Sequence, residues 1–246
     1  MTTTAHTRGR VRVEQGDKRI RAYLGGEVVA DTSHPLLVWE KPYYPAYYFP
    51  AADVRLDLLS EDDGIAHSPS RGDAKILTVR VGEHERSGAA LLYEESPFDE
   101  LHNTVRLDWS AMDAWFEEDE EVFTHPRDPY TRVDILPSSR HIRVEVDGVT
   151  IAESTKATLL FETGLPTRYY LPKTHVRMDL LVPTSTSSHC PYKGQAGYWS
   201  LRLGETVVQD VAWSYRTPLP ESQKIAGLVS FYPDKVDVYV DEQLLR

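Results

Sequence analysis

Cys190 is the single cysteine of the 246-residue chain, set in His189-Cys190-Pro191-Tyr192-Lys193-Gly194. A thiol with a lysine three residues on and a histidine beside it can act as a nucleophile, because a neighbouring cation favours the thiolate. Glu162, at the end of the apolar run Thr158-Leu-Leu-Phe, would supply the acid or base; buried there, it would have a raised pKa. The same cysteine also reads as an inert buried thiol, a common state for free cysteine. A third reading, a metal ligand beside His189, is weak: adjacent residues seldom chelate one ion, and no second cysteine completes a site. No metal and no cofactor is expected, since there is also no glycine-rich phosphate loop.

A second chemistry is offered by aromatic side chains. Tyr170, Tyr192, Trp199, Trp213 and Tyr215, followed by Phe231 and Tyr232, are dense over the last third of the chain. At strand spacing they fill a core, or they line a cleft for a small ligand with Lys193 and Glu162 at its rim. Arg177 would be an anion-binding arginine in such a site, or else the partner of Asp179 in a structural ion pair.

What must position these groups is a duplicated unit. From Ile20 to Glu83 the chain lies over Ile142 to Glu205 at a constant offset of 122, with 21 of 64 positions identical. Chance would give roughly one in fifteen, so the chain is a tandem repeat. Glu40 matches Glu162, Tyr47-Tyr48 matches Tyr169-Tyr170, Arg55 and Asp57 match Arg177 and Asp179, and His67 matches His189. Cys190, Tyr192 and Lys193 have Ser68, Ser70 and Arg71 as counterparts, and Trp199 has Leu77. The second copy therefore carries the candidate groups.

The local code is β. Ile142-Arg-Val-Glu-Val alternates apolar and polar residues before an Asp147-Gly148 turn, and Val149 begins the return strand. Tyr198 to Leu203 and Val207 to Trp213 make a second hairpin, Lys235 to Val240 a closing strand, and Val176 to Leu180 another strand. Only Pro218–Lys224 and Asp108–Asp119 show helical spacing, and both are short. The expected domains are a flexible lead over 1–18, a first repeat over 19–137 and a second over 138–246.

Residues 1–137 hold 15 basic and 26 acidic side chains, whereas 138–246 hold 12 of each. The whole net charge of −11 thus lies in the first part. Neither part has the basic stripe of a nucleic-acid binder. Acidic residues cluster over 109–121 around Trp115 and Phe116, which reads as a solvated insert or as a docking segment for a basic protein partner. No apolar run approaches the ~18–20 residues of a membrane helix and no signal core is present, so a cytoplasmic protein without membrane contact is expected.

Gly-Gly-Glu-Val-Val-Ala-Asp at 25–31, Tyr-Tyr-Phe-Pro at 47–50 and Asp-Val-Arg-Leu-Asp-Leu-Leu at 53–59 resemble domain-of-unknown-function family 427. So do Cys-Pro-Tyr-Lys-Gly at 190–194, Ala-Trp-Ser-Tyr at 212–215 and Ile-Ala-Gly-Leu-Val-Ser-Phe-Tyr at 225–232. The resemblance covers nearly the whole chain in two-copy form. It implies an all-β fold of two tandem β-tent, Mss4-like domains with short helical insertions, and it brings no catalytic assignment. The family also carries a nucleotidyltransferase-like label, but the chain lacks a Gly-Ser followed by the Asp-x-Asp pair such chemistry uses. The functional expectation is an uncharacterised tandem-repeat protein binding an unknown small molecule in the second repeat. The alternatives are a cysteine-dependent enzyme centred on Cys190, or a scaffold acting through 109–121.

Overall fold

The computed structural model describes residues 6–8 and 11–245, and they form an all-β protein. Alternating apolar residues place one face of each strand in a core, and glycine, proline and aspartate mark the turns. The chain divides into two compact units, Met1–Asp128 and Pro129–Arg246. Every helical segment among the described residues is a short 3-10 turn, the longest being Pro220–Ile225. No helix among them is long and apolar enough to cross a membrane.

The first unit contains β1 (His6–Arg8), β2 (Val11–Gln15), β3 (Ile20–Leu24), β4 (Glu27–Thr32), β5 (Leu36–Trp39) and β6 (Ala46–Pro50). It continues with β7 (Leu59–Ser68), β8 (Gly72–Val81), β9 (His84–Tyr93), β10 (Thr104–Leu107), β11 (Ala114–Glu117) and β12 (Glu120–Glu121). Eight strands run β1-β2-β5-β6-β10-β9-β8-β7 and four run β12-β11-β3-β4, all antiparallel. Ile20, Leu24, Val29, Phe49, Val79 and Val105 fill the core between them.

The second unit repeats this order with β13 (Val133–Ser138), β14 (Ile142–Val146), β15 (Val149–Ser154), β16 (Ala157–Glu162), β17 (Arg168–Tyr170) and β18 (Leu181–Cys190). β19 (Gly194–Leu203), β20 (Thr206–Tyr215), β21 (Ser230–Phe231), β22 (Asp237–Val240) and β23 (Gln243–Leu244) complete it. Its sheets run β13-β16-β17, β15-β14-β22-β23 and β18-β19-β20-β21. Both expected hairpins are present, and Asp147 and Gly148 turn the first of them at φ of 49° and 74°.

Three expectations need correction. The lead placed over 1–18 includes β2, whose Val11 and Val13 are buried and whose backbone pairs with β5; residues 1–5, 9 and 10 lie outside the described residues. The boundary placed between 137 and 138 falls inside β13 (Val133–Ser138), which pairs with β16 and opens the second unit. Its proline is tolerated because β13 is an edge strand. The supposed insert 109–121 is the closing part of the first repeat. Trp115 on β11 pairs with Ala22, as Val238 on β22 pairs with Val144. Three of its acidic residues have partners on the surface: Asp119 binds Arg21, Glu120 binds Arg127, and Glu118 accepts from the Arg19 amide. Arg55–Asp57 and Arg177–Asp179 do form ion pairs, at 2.7 Å each. They sit on exposed 3-10 turns at Leu56–Leu58 and Met178–Leu180 rather than on strands.

One ionic clamp ties the end of the second unit to its hairpin. His141 Nε2 lies 2.8 Å from Glu153 and Nδ1 lies 2.7 Å from Glu242. Both contacts are hydrogen bonds only when both ring nitrogens carry protons. The bonds to Glu153 and Glu242 therefore raise the imidazole above its ordinary 6.5. Because the folded value is the higher one, this stabilisation is complete below pH 6.5 and is lost as pH rises through the folded value. An NMR titration of His141 should show a midpoint above 6.5; a midpoint below it would refute the clamp.

Candidate functional site

The strands bring a carboxylate, a cation and a tyrosine together in each repeat. In the first, Glu40 directly follows β5 and its Oε1 accepts from Tyr48 on β6 at 2.8 Å. Arg71, from the β7–β8 turn, reaches the same oxygen at 2.5 Å, and Arg106 on β10 donates to it through Nε at 2.9 Å. Burial alone would raise the Glu40 carboxyl. The charges of Arg106 and Arg71 and the Tyr48 hydroxyl outweigh it and hold the group below 4.5. Glu40, the counterpart of Glu162, is thus an ionised anchor rather than a proton donor. Burial, reinforced by Glu40, pushes Tyr48 upward, so its hydroxyl stays a donor.

In the second repeat Lys193 Nζ meets Glu162 Oε2 at 2.5 Å. Tyr170 stands in place of Tyr48, and its hydroxyl accepts from Trp213 Nε1 at 3.1 Å. Arg71 and Lys193 are each delivered by a turn whose next residue, Gly72 or Gly194, has φ of 86° or 91°. A side chain at either glycine would be strained, and at Gly72 a Cβ would also stand 2.8 Å from Pro97.

Among the expected site residues, the structure gathers Tyr170, Trp213 and Tyr215 into one core cluster with Ile135, Leu160 and Ile225. Glu162 and Cys190 lie close enough to raise the hydroxyl pKa of both Tyr170 and Tyr215, although burial is the main cause of those shifts. Tyr192 is buried, and its carbonyl accepts from Ser222. Cys190 is half-buried, and the amine of Lys193 is committed to Glu162. Trp199 is not with them: it packs against the other core of the unit and under Lys173. Arg177 is exposed on its 3-10 turn, bound to Asp179.

An opening lies beside the carboxylate–arginine cluster of the first repeat. A cleft of about 140 Å³ lies beside Glu40 and Arg106. Tyr47, Trp109 and Trp115 line it, the two indoles stacked at 4.6 Å with planes 5° apart. Tyr44 stacked on His125 at 4.0 Å forms another wall, and Lys41 and Asp108 are polar members of the lining. Behind Tyr47, the buried Glu117 accepts from its hydroxyl at 2.6 Å and from Lys18 at 2.6 Å.

The same position in the second repeat is nearly closed. By strand register Ala46, Tyr47, Leu107 and Trp115 correspond to Arg168, Tyr169, Phe231 and Val238. Those four line a space of about 10 Å³, room for one water at most. The Arg168 guanidinium lies over Trp213 at 5.5 Å and Tyr232 at 6.0 Å from the ring centroids. Sequence reasoning missed Tyr44, Ala46, Arg106, Asp108, Trp109 and His125. The contrast between Ala46 and Arg168 was available within the gapless offset. The others lie where Tyr44 faces Pro166, or beyond Glu83, where one or two extra residues shift the register.

A further open groove of about 660 Å³ runs past the β7–β8 turn. Its His67–Asp73 and Lys75–Glu94 pairs satisfy one another at 2.5 and 3.0 Å.

A family model described as a domain of unknown function (DUF427) matches residues 12–118 and again 134–242. No curated protein matches the chain.

Proposed function

Since the chain belongs to the DUF427 family and carries its domain twice, we propose that it is a small-molecule-binding protein whose working site is the cleft of the first repeat. The observation that carries this reading is the pair of corresponding clefts, about 140 Å³ in one repeat and about 10 Å³ in the other. A shared fold accounts for a depression at that place in both. It does not account for the difference in volume, which goes with Arg168 on the lining of one and Ala46 on the lining of the other. A cavity of about 150 Å³ admits a benzene ring, so the first cleft is sized for a single-ring ligand or for one ring of a larger one. Its aromatic lining with a few convergent polar groups is the usual make-up of a ligand site. The small-molecule reading thus moves from the second repeat to the first.

A panel of single-ring fragments at millimolar concentration tests it through the emission of stacked Trp109 and Trp115. At least one fragment should shift the emission of the native protein. Ala46→Arg, which copies the second repeat, should weaken that response at least roughly tenfold. An equal response in Ala46→Arg, or none from any fragment, would refute the assignment.

A further inference from the structure

Resting on that reading of the cleft, we propose that its ligand is a single-ring carboxylate held by Arg106. Glu40 has two arginines around it and needs only one for charge balance. Arg71 reaches Oε1 at 2.5 Å and donates to the Tyr48 hydroxyl at 3.2 Å. Arg106 uses Nε alone, at 2.9 Å. Among the described residues its Nη1 and Nη2 make no hydrogen bond, although the side chain is only 26% exposed and lines the cleft. A guanidinium anchored through Nε with its terminal nitrogens open is set to receive a planar carboxylate or a phosphate oxygen pair.

The size of the cleft, about 140 Å³, favours the carboxylate as the more compact and planar of the two groups beside a ring. The flat indole and phenol faces of Trp109, Trp115 and Tyr47 would take the ring. Lys41, also on the lining, adds a second positive charge at the mouth.

Asp108 is the opposing charge. Its Oδ1 accepts from the Ser110 amide at 2.8 Å and from the Ser110 hydroxyl at 2.7 Å, and it makes no ion pair with Arg106. Burial would raise this carboxyl, but the Ser110 hydrogen bonds and Arg106 bring it below its ordinary value of 3.8. It stays anionic and disfavours an acid that offers it nothing. A hydroxyl or amino group beside the ligand carboxylate would turn that repulsion into a hydrogen bond. The second repeat has Ser230 in place of Arg106, so it lacks this anchor as well as the room.

Benzoate, benzamide and benzamidine, titrated into the full chain by calorimetry, separate the charge from the ring. Benzoate should bind at least roughly tenfold tighter than benzamide. Arg106→Gln should remove that preference, Arg106→Lys should restore part of it, and Asp108→Asn should tighten benzoate. Unchanged melting of Arg106→Lys guards against reading misfolding as lost binding. If benzamide or benzamidine binds as well as benzoate, the carboxylate is wrong and the cleft reading stands. The same holds if only other neutral rings bind and Ala46→Arg abolishes their binding. If no ring compound binds, both fall.

Discussion

Replacing Trp115 with alanine is expected to lower the stability of the first repeat by about 3–5 kcal/mol, the usual range for truncating a buried tryptophan. The residue is only 4% exposed and closes β11 against the core strand β3. Its ring stacks on Trp109 at 4.6 Å and lies 6.1 Å from Phe49 and 6.3 Å from Tyr47. Its Nε1 also donates to the Trp109 carbonyl at 3.0 Å, so truncation strands an acceptor as well as opening a void. Urea denaturation followed by fluorescence and by circular dichroism gives the measurement. A loss under about 1 kcal/mol would mean that the floor of the cleft collapses into the gap and is no rigid platform.

The second large effect is electrostatic. Glu40→Gln leaves Arg71 and Arg106 converging on an uncharged amide, with the former glutamate position only 17% exposed. Arginine cannot shed its proton. We expect a loss of about 2–4 kcal/mol, somewhat below the figure for a fully buried pair because water reaches part of the cluster. Glu162→Gln should cost less, because it leaves one unpaired cation, Lys193, instead of two. Equal losses at the two sites, or none at Glu40, would overturn this account.

Acidity gives an independent check. The folded Glu40 carboxyl titrates below its ordinary 4.5, so its contribution is complete above that value and is lost as pH falls through the folded one. The stability gap between native protein and Glu40→Gln should therefore shrink on acidification below about pH 4.5. A gap that widens there would contradict the paired geometry.

The duplication, the hairpins and the all-β class were legible because they rest on local periodicity and on identities at one offset. The comparison of copies also placed Glu162 and Lys193 at one rim but did not show that they pair with each other, since 31 positions separate them. The cleft was missed for a related reason. Its floor is assembled from β6, β10 and β11, and the last two lie past the point where the gapless offset ends. Comparing the copies by residue type drew attention to what the second had gained, cysteine and tryptophans. One of those gains became core: Trp213 packs among Tyr170, Tyr215 and Ile225. What decides an opening is where bulk is missing, and Ala46 is inconspicuous in a sequence.

The outermost strands β7 and β18 have a consequence for life at high concentration. Each is ten residues long and ends its sheet, so each presents a row of unpaired backbone groups to any neighbouring chain. A duplicated protein doubles that exposure within one molecule. Both edges are spoiled at the same place: the pairing slips between Glu61 and Ile65 in one and between Pro183 and Ser187 in the other. Around the slip the first edge carries Glu61-Asp62-Asp63 and the second carries Pro183 among serines and threonines. Like charge repels an incoming strand and proline denies it a donor. The two repeats thus carry different devices against strand addition at one position. Part of the acidity of the first repeat sits where it would repel an incoming strand.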